Sequence, residues 1–220
     1  MGVSRFARKI KEAVRHKNTE HASLALRHLT KNLDPAQPTR ILDLGGACAS
    51  NIKYYSTISR KFHFEDLSSA VAARAEKSSS SEASAVPSVL NEALSLRSNQ
   101  VFDMIFCWDI LNYLAPEEIM QLGKKLAEHS HPETKLFLLL PVGREITQLP
   151  IRFKVSEHDA LTYEEHGSAK IKSPRYNKSD LKKLWPSFER KKSFLLKNGF
   201  EEHIYRFASG AKHAAVPPVT

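Results

Sequence analysis

Two stretches of this 220-residue chain carry residue types and spacings suited to chemistry. The first is Ile41-Leu42-Asp43-Leu44-Gly45-Gly46-Ala47-Cys48-Ala49-Ser50-Asn51, an apolar strand that turns through small residues into a helix. Small residues there let a backbone approach a ligand, and the amino end of the following helix favours an anionic group. Asp66 stands 21 residues after Gly45, at the end of the next strand, where a carboxylate can accept both hydroxyls of a ribose. Together they point to a nucleoside. The loop alone is weak evidence, because Gly45-x-Ala47-x-x-Ser50 keeps one of the three glycines of the dinucleotide pattern. The second stretch, Val101 to Leu114, is a buried strand followed by Trp108, Asp109, Asn112 and Tyr113. Open α/β sheets bind ligands at that carboxyl edge.

Other chemistries find no support. No pair among the ten histidines has metal-ligand spacing with a nearby acid, and no metal is expected. A Ser-His-Asp arrangement and a Gly-Lys-Ser/Thr phosphate loop are both missing. Cys48 and Cys107 fall at the ends of neighbouring strands, and two reduced thiols explain them better than a redox pair.

The elements that position these residues alternate. Strands are expected at Arg40–Leu44, Lys61–Phe64, around Val89, at Val101–Cys107 and at Lys135–Leu140. Helices are expected from about Ser50 to Ser59, Ala70 to Lys77 and Pro116 to about Ser130, with a serine-rich loop over Ser78–Ser88 and a turn at His131–Thr134. Continuous apolar strands alternating with helices mean a parallel sheet covered on both faces. The end breaks the rhythm. Ile151, Phe153 and Val155 alternate, as do Leu161 and Tyr163, which reads as an inserted hairpin. A short helix over Ser179–Trp185 precedes strands Phe188–Leu196 and Phe200–Phe207, which meet at Asn198-Gly199, a strong antiparallel hairpin signal.

Ahead of this unit, Val3, Phe6, Ala7, Ile10, Ala13 and Val14 repeat at helical spacing opposite a basic face, and Thr19 offers a cap for a helix through Leu29. The domain plan is accessory helices over 1–39, a main domain over 40–208 with an insert at about 142–178, and a frayed tail over 209–220.

The chain holds 33 Lys and Arg against 24 Asp and Glu, a net charge of +9 and a pI near 9.5. The excess lies in residues 1–40, at +6, and 168–197, at +8. A basic surface favours anionic partners such as nucleic acid, phosphorylated metabolites or anionic lipid, and plain solvation explains it equally well. No motif singles out nucleic acid. The longest apolar run, Leu136–Val142, has a strand's length, so no transmembrane segment is expected. Two cysteines are too few for a disulfide framework, no secretory leader is recognisable, and a cytoplasmic location is expected.

With Asp43 inside the first strand, the run Val101–Leu114 and the Asn198-Gly199 hairpin, residues 40 to about 207 resemble the class I S-adenosylmethionine-dependent methyltransferases. The resemblance implies an α/β fold: a Rossmann-like, mostly parallel seven-stranded sheet with helices on both faces and an antiparallel C-terminal hairpin. It implies S-adenosyl-L-methionine as cofactor. Asp43 and Gly45 would hold the methionine moiety and Asp66 the ribose, with Glu65 as fallback; Glu65-Asp66-Leu67-Ser68 matches the family's run. Gly46, Ala47, Asn51 and Trp108 complete the cofactor wall, and Asn91 or Glu92 falls nearest the adenine-reading position. Asp109, Asn112 and Tyr113 become the catalytic candidates, with Asp109 a base, a positioning acceptor or merely a helix cap. Two departures stand out: Ala47 and Ala49 replace loop glycines, and the family's Asn-Pro-Pro-Tyr motif for methylating exocyclic base amines is absent. The acceptor and the oligomeric state cannot be read. The insert from Leu149 to Tyr163 and the basic Lys170–Lys183 stretch would form a lid or wall, with Arg144, Arg152, Arg175 and Tyr176 placed for an anionic acceptor. The competing readings are a methyltransferase-like binding module without turnover, docking RNA, protein or lipid through basic surfaces, and a nicotinamide dehydrogenase, which Asp43 disfavours.

Overall fold

The structure, a computed structural model, describes residues 20–34, 36–59, 61–79, 89–156, 159–164 and 169–208. The basic N-terminal helix, the Thr19 cap, most of the serine-rich loop and the C-terminal tail lie outside them.

The chain enters through a two-residue strand, β1 (His21–Ala22), and helix α1 (Leu24–Thr30), where Ser23 Oγ caps the first turn by accepting from Leu26 N at 3.0 Å. The strand–helix alternation then runs β2 (Arg40–Asp43), α2 (Ala49–Ile58), β3 (Lys61–Phe64), α3 (Leu67–Ser79), α4 (Val89–Ala93) and β4 (Phe102–Trp108). A 3₁₀ turn (Ile110–Tyr113), α5 (Pro116–Glu128) and β5 (Ser130–Pro141) follow. Four short strands come next: β6 (Glu145–Thr147), β7 (Arg152–Ser156), β8 (Ala160–Glu164) and β9 (Lys170–Lys172). Helix α6 (Lys178–Leu184) and the strands β10 (Phe188–Leu195) and β11 (Phe200–Phe207) complete the fold.

The central sheet has six strands in the order β10-β11-β5-β4-β2-β3. β3, β2, β4 and β5 are parallel; β11 is antiparallel to β5, and β10 to β11. The sheet is therefore mixed, and the expected seventh strand is not found among the described residues. Its segment is helix α4, where Val89, Leu90, Ala93 and Leu94 all pack on the core. Their spacing is a helical stripe, and Asn91, Glu92 and Ala93 are weak strand formers. The expected turn at His131–Thr134 instead opens β5, with Ser130 pairing Phe102 and Thr134 Oγ1 donating to Phe102 O at 2.6 Å.

Alternation along the strands divides the core in two. Leu42, Ile105, Cys107, Leu136 and Leu138 face α3, α4, α5 and α6. Ile41, Met104, Phe106, Trp108, Phe137 and Leu139 face α1, α2 and the β7–β8 hairpin. Ala25, Leu26 and Leu29 of α1 are fully buried on that second side. Each leucine so buried contributes about 1.5–3 kcal/mol, so α1 is part of the core.

The β7–β8 hairpin is anchored on several sides. β8 pairs with β7 along one edge and with β1 along the other. Ser23 N donates to Asp159 O at 2.8 Å, and the Asp159 carboxylate accepts from Tyr54 OH and from Thr30 Oγ1. No helix among the described residues is long and apolar enough to cross a membrane.

Candidate functional site

The loop after β2 is built on Asp43, whose side chain is completely buried. Oδ1 accepts from Gly45 N at 2.8 Å and from Trp108 Nε1 at 2.5 Å; Oδ2 accepts from Tyr55 OH at 2.7 Å and Asn51 Nδ2 at 3.3 Å. Burial pushes the Asp43 carboxyl up to about 6, and the four donors, Trp108 foremost, restrain the rise. At neutral pH the group is a carboxylate with every lone pair engaged by the protein. Asn51 and Tyr55, one helical turn apart on α2, converge on it. Asn51 also reaches the hairpin, accepting from Val155 N at 2.8 Å and donating to Phe153 O at 3.4 Å.

Gly45 is pressed from one side by Trp108. A Cβ at position 45 would lie 2.6 Å from Trp108 Cδ1, so only glycine permits the approach. Trp108 itself sits at φ +50, a left-handed backbone costing about 1–2 kcal/mol in a side-chain-bearing residue. Flat stacking on Phe153, with centroids 5.6 Å apart, and on Phe106 holds it there. Gly46 takes φ +79 and lies against the Asp66 carboxylate. Ala47 and Ala49 keep negative φ, so replacing the usual glycines brings no backbone strain.

Asp66 is exposed and caps α3, accepting from Ser69 N at 3.0 Å and Ser69 Oγ at 2.8 Å. With Gly45, Ser68 and Ser69 it lines a crevice of about 230 Å³, closed opposite by Leu149–Arg152. Glu65 points elsewhere. Buried, it accepts from Ser95 N at 3.2 Å and Ser95 Oγ at 3.0 Å, and it contacts His63 Nε2 at 2.8 Å, which ties β3 to the segment after α4. Asn91 falls on α4, and its side chain lies outside the described residues.

The second group sits where β4 ends. Asp109 precedes the 3₁₀ turn but makes no side-chain capping bond, so the cap reading does not describe it. Its Oδ2 accepts from Ile151 N at 3.2 Å and from Tyr113 OH at 3.3 Å, while Oδ1 has no donor among the described residues. Burial pushes this carboxyl up to about 7, opposed by those hydrogen bonds. Asn112 Nδ2 donates to Asp109 O at 2.7 Å, leaving Asn112 Oδ1 buried without a donor. The single Tyr113 hydroxyl proton is shared between Asp109 Oδ2 and Leu149 O at 3.1 Å, while the oxygen also meets Thr147 Oγ1 at 2.9 Å, where the threonine can donate. All three residues line a cavity of about 260 Å³ with Thr147, Ile151 and Phe200. Ile151 walls both this cavity and the Asp66 crevice.

The sequence reading missed Tyr55, Ile151 and Thr147. Tyr55 could have been found, since it stands four residues after Asn51 on the face turned to the strand. Ile151 and Thr147 arrive through the β6–β9 pairing and the hairpin, whose placement no local pattern encodes. Of the side chains expected near an anionic acceptor, Arg152 lines the Asp66 crevice, and Tyr176 OH donates to Leu114 O at 3.1 Å. Arg144 and Arg175 are exposed. Cys48 and Cys107 are free thiols, the second completely buried.

No protein-family model and no curated protein sequence matches the chain. Among solved structures it is similar to an S-adenosylmethionine-dependent methyltransferase from Clostridium acetobutylicum ATCC 824, at 14% identity and a TM-score of 0.51, over 93% of this chain and 98% of that one. It is also similar to the glycopeptide N-methyltransferase MtfA complexed with S-adenosyl-L-methionine, at 11% identity and a TM-score of 0.47, over 84% of this chain and 93% of that one. A third likeness is to the N-methyltransferase NodS from Bradyrhizobium japonicum WM9, at 10% identity and a TM-score of 0.45, over 94% of this chain and 99% of that one. The first of these shows that the chain has the fold of a class I S-adenosylmethionine-dependent methyltransferase.

Proposed function

We propose that the chain is an S-adenosyl-L-methionine-dependent methyltransferase that binds its cofactor along the carboxyl ends of β2, β3 and β4. The observation that carries this reading is the meeting of Gly45 and Asp66 in one crevice that shares Ile151 with the Asp109 cavity. The fit differs along the cofactor. For the nucleoside, the exposed Asp66 carboxylate accepts the ribose hydroxyls, while the backbones of Gly45, Gly46 and Ala47 allow close approach. Asn91, on α4, stands at the adenine end, and Glu65 fixes the turn leading there. Asp43 acts through the loop: with Asn51 and Trp108 it holds the Gly45 amide in place, because its own lone pairs are taken.

The cofactor supplies a methyl group already activated by a sulfonium. What the protein adds is alignment, and proximity of this kind can supply roughly 7–11 kcal/mol. Asp109, with a proton affinity near neutrality, suits the handling of a proton on the acceptor, and Tyr113 and Asn112 orient it. The β7–β8 hairpin and the strand pair β6–β9 wall the acceptor side. A cytoplasmic location accompanies this reading and accords with two free thiols.

Calorimetric titration with S-adenosylmethionine and with its demethylated product tests the proposal. Sub-millimolar binding of both is expected; the absence of heat from either would sink it. One observation favours a second reading, a methyltransferase-like module without turnover: the Trp108 indole covers one face of Gly45. That reading requires the same titration to be silent.

A further inference from the structure

Two buried oxygens beside one cavity, Asp109 Oδ1 and Asn112 Oδ1, have no hydrogen-bond donor among the described residues. Asp109 is 2% exposed and Asn112 6%. An unsatisfied buried acceptor is costly, and two beside one cavity call for a partner that the cavity can admit. Both residues line the 260 Å³ cavity beside the end of β4. Their other polar atoms are committed. Asp109 Oδ2 is held by Ile151 N and Tyr113 OH, and Asn112 Nδ2 by Asp109 O and Leu139 O. What the cavity wants is therefore a group that donates more than one hydrogen bond and tolerates a neighbouring carboxylate. A hydroxyl donates only once, and a carboxylate or phosphate ester would face Asp109 with like charge. Glu145 adds a second acid to the walls, against the single cation Lys170.

We propose that this cavity is the acceptor site and that the acceptor presents a primary or secondary aliphatic amine, whose N–H groups meet Asp109 Oδ1 and Asn112 Oδ1. The assignment rests on the methyltransferase reading for its chemistry but not for its binding. The bound ammonium gives one proton to Asp109 Oδ1. The freed nitrogen lone pair then forms the new N–C bond as the methyl carbon's bond to sulfur breaks, that electron pair remaining on sulfur. The product leaves as a methylated ammonium, and Asp109 returns its proton to solvent. Ile151 lines both cavities, so the acceptor site and the nucleoside crevice adjoin there.

The test uses the full chain without cofactor and three probes of matched skeleton: n-butylamine, n-butanol and butyrate. Amide shifts in ¹H–¹⁵N spectra are followed during each titration. Saturable shifts with n-butylamine, and affinities at least ~10-fold weaker for the other two, are expected from a charge-assisted contact. Asp109→Asn, checked for an unchanged fold by the same spectra, should weaken n-butylamine to the level of n-butanol. Equal or tighter binding of n-butanol or butyrate to the native chain overturns the proposal whatever the variant does. Undiminished amine binding by a folded Asp109→Asn overturns it as well. The cofactor titration is read separately, so selective amine binding without cofactor heat would leave this site standing and remove the methyl donor.

Discussion

Trp108 and Asp43 are joined across two parallel strands, the indole Nε1 donating to Oδ1 at 2.5 Å while the same ring presses on Gly45. The bond sets where the loop after β2 can lie, because Asp43 also receives the Gly45 amide. Trp108→Phe keeps a ring in the stack but removes this donor from a buried carboxylate. A loss of about 1–3 kcal/mol in unfolding free energy is expected, read from the denaturant midpoint. The Asp43 carboxyl should rise further, since Trp108 is the strongest influence lowering it.

Asp66 has two duties that one substitution can separate. Asp66→Asn keeps an oxygen for the Ser69 amide and so keeps the α3 cap, leaving the melting temperature close to native. Without the charge, cofactor affinity should fall by about 1.5–3 kcal/mol, or roughly 10- to 150-fold. Calorimetry on the variant reads this. Unchanged affinity would place the ribose elsewhere.

Asn51 couples α2 to the hairpin through Val155 N and Phe153 O. Asn51→Ala orphans a buried amide and should cost about 1–3 kcal/mol. The loss should be local. Hydrogen exchange of residues 152–156 and 160–164 is expected to quicken well beyond that of β4 and β5.

Stability should depend on pH through Asp109. Its carboxyl ionises near pH 4 in an unfolded chain and near 7 in the folded one. In that interval the folded state binds more protons, so the contribution is complete below about pH 4 and is lost as pH rises through about 7. Asp43, raised to about 6, acts in the same sense over the lower part of the interval. Denaturant midpoints at pH 4.5 and 7.5 should differ less in Asp109→Asn than in the native chain.

The parts of this fold that declare themselves locally were legible. The parallel strands are continuous apolar runs, and Gly45-Gly46 with Asp66 marks a loop and strand end that the sheet brings together. The segment around Val89, expected as a strand, was not legible as a helix, because a five-residue window barely reveals the helical stripe of its buried positions. Asp43 misleads in another way. Its position in the sequence suggests a ligand contact, yet whether a carboxylate faces a ligand or four internal donors depends on Asn51 and Tyr55 from one face of α2 and on Trp108 from the end of β4, more than fifty residues away. The orphan oxygens of Asp109 and Asn112 are likewise invisible until the β6–β9 pair and the hairpin enclose them.

The bracing of β8 between β7 and β1, with Asp159 gripped by Tyr54 and Thr30, makes the hairpin one piece with the start of the chain. Moving β8 would pull on β1, which leads through Ser23 directly into α1 and the core. The cavity at Asp109 is bordered differently, by the thin two-stranded ribbon of β6 and β9 and the turn at Gly199. Loosening that ribbon would alter the border of the cavity and leave the braced frame intact.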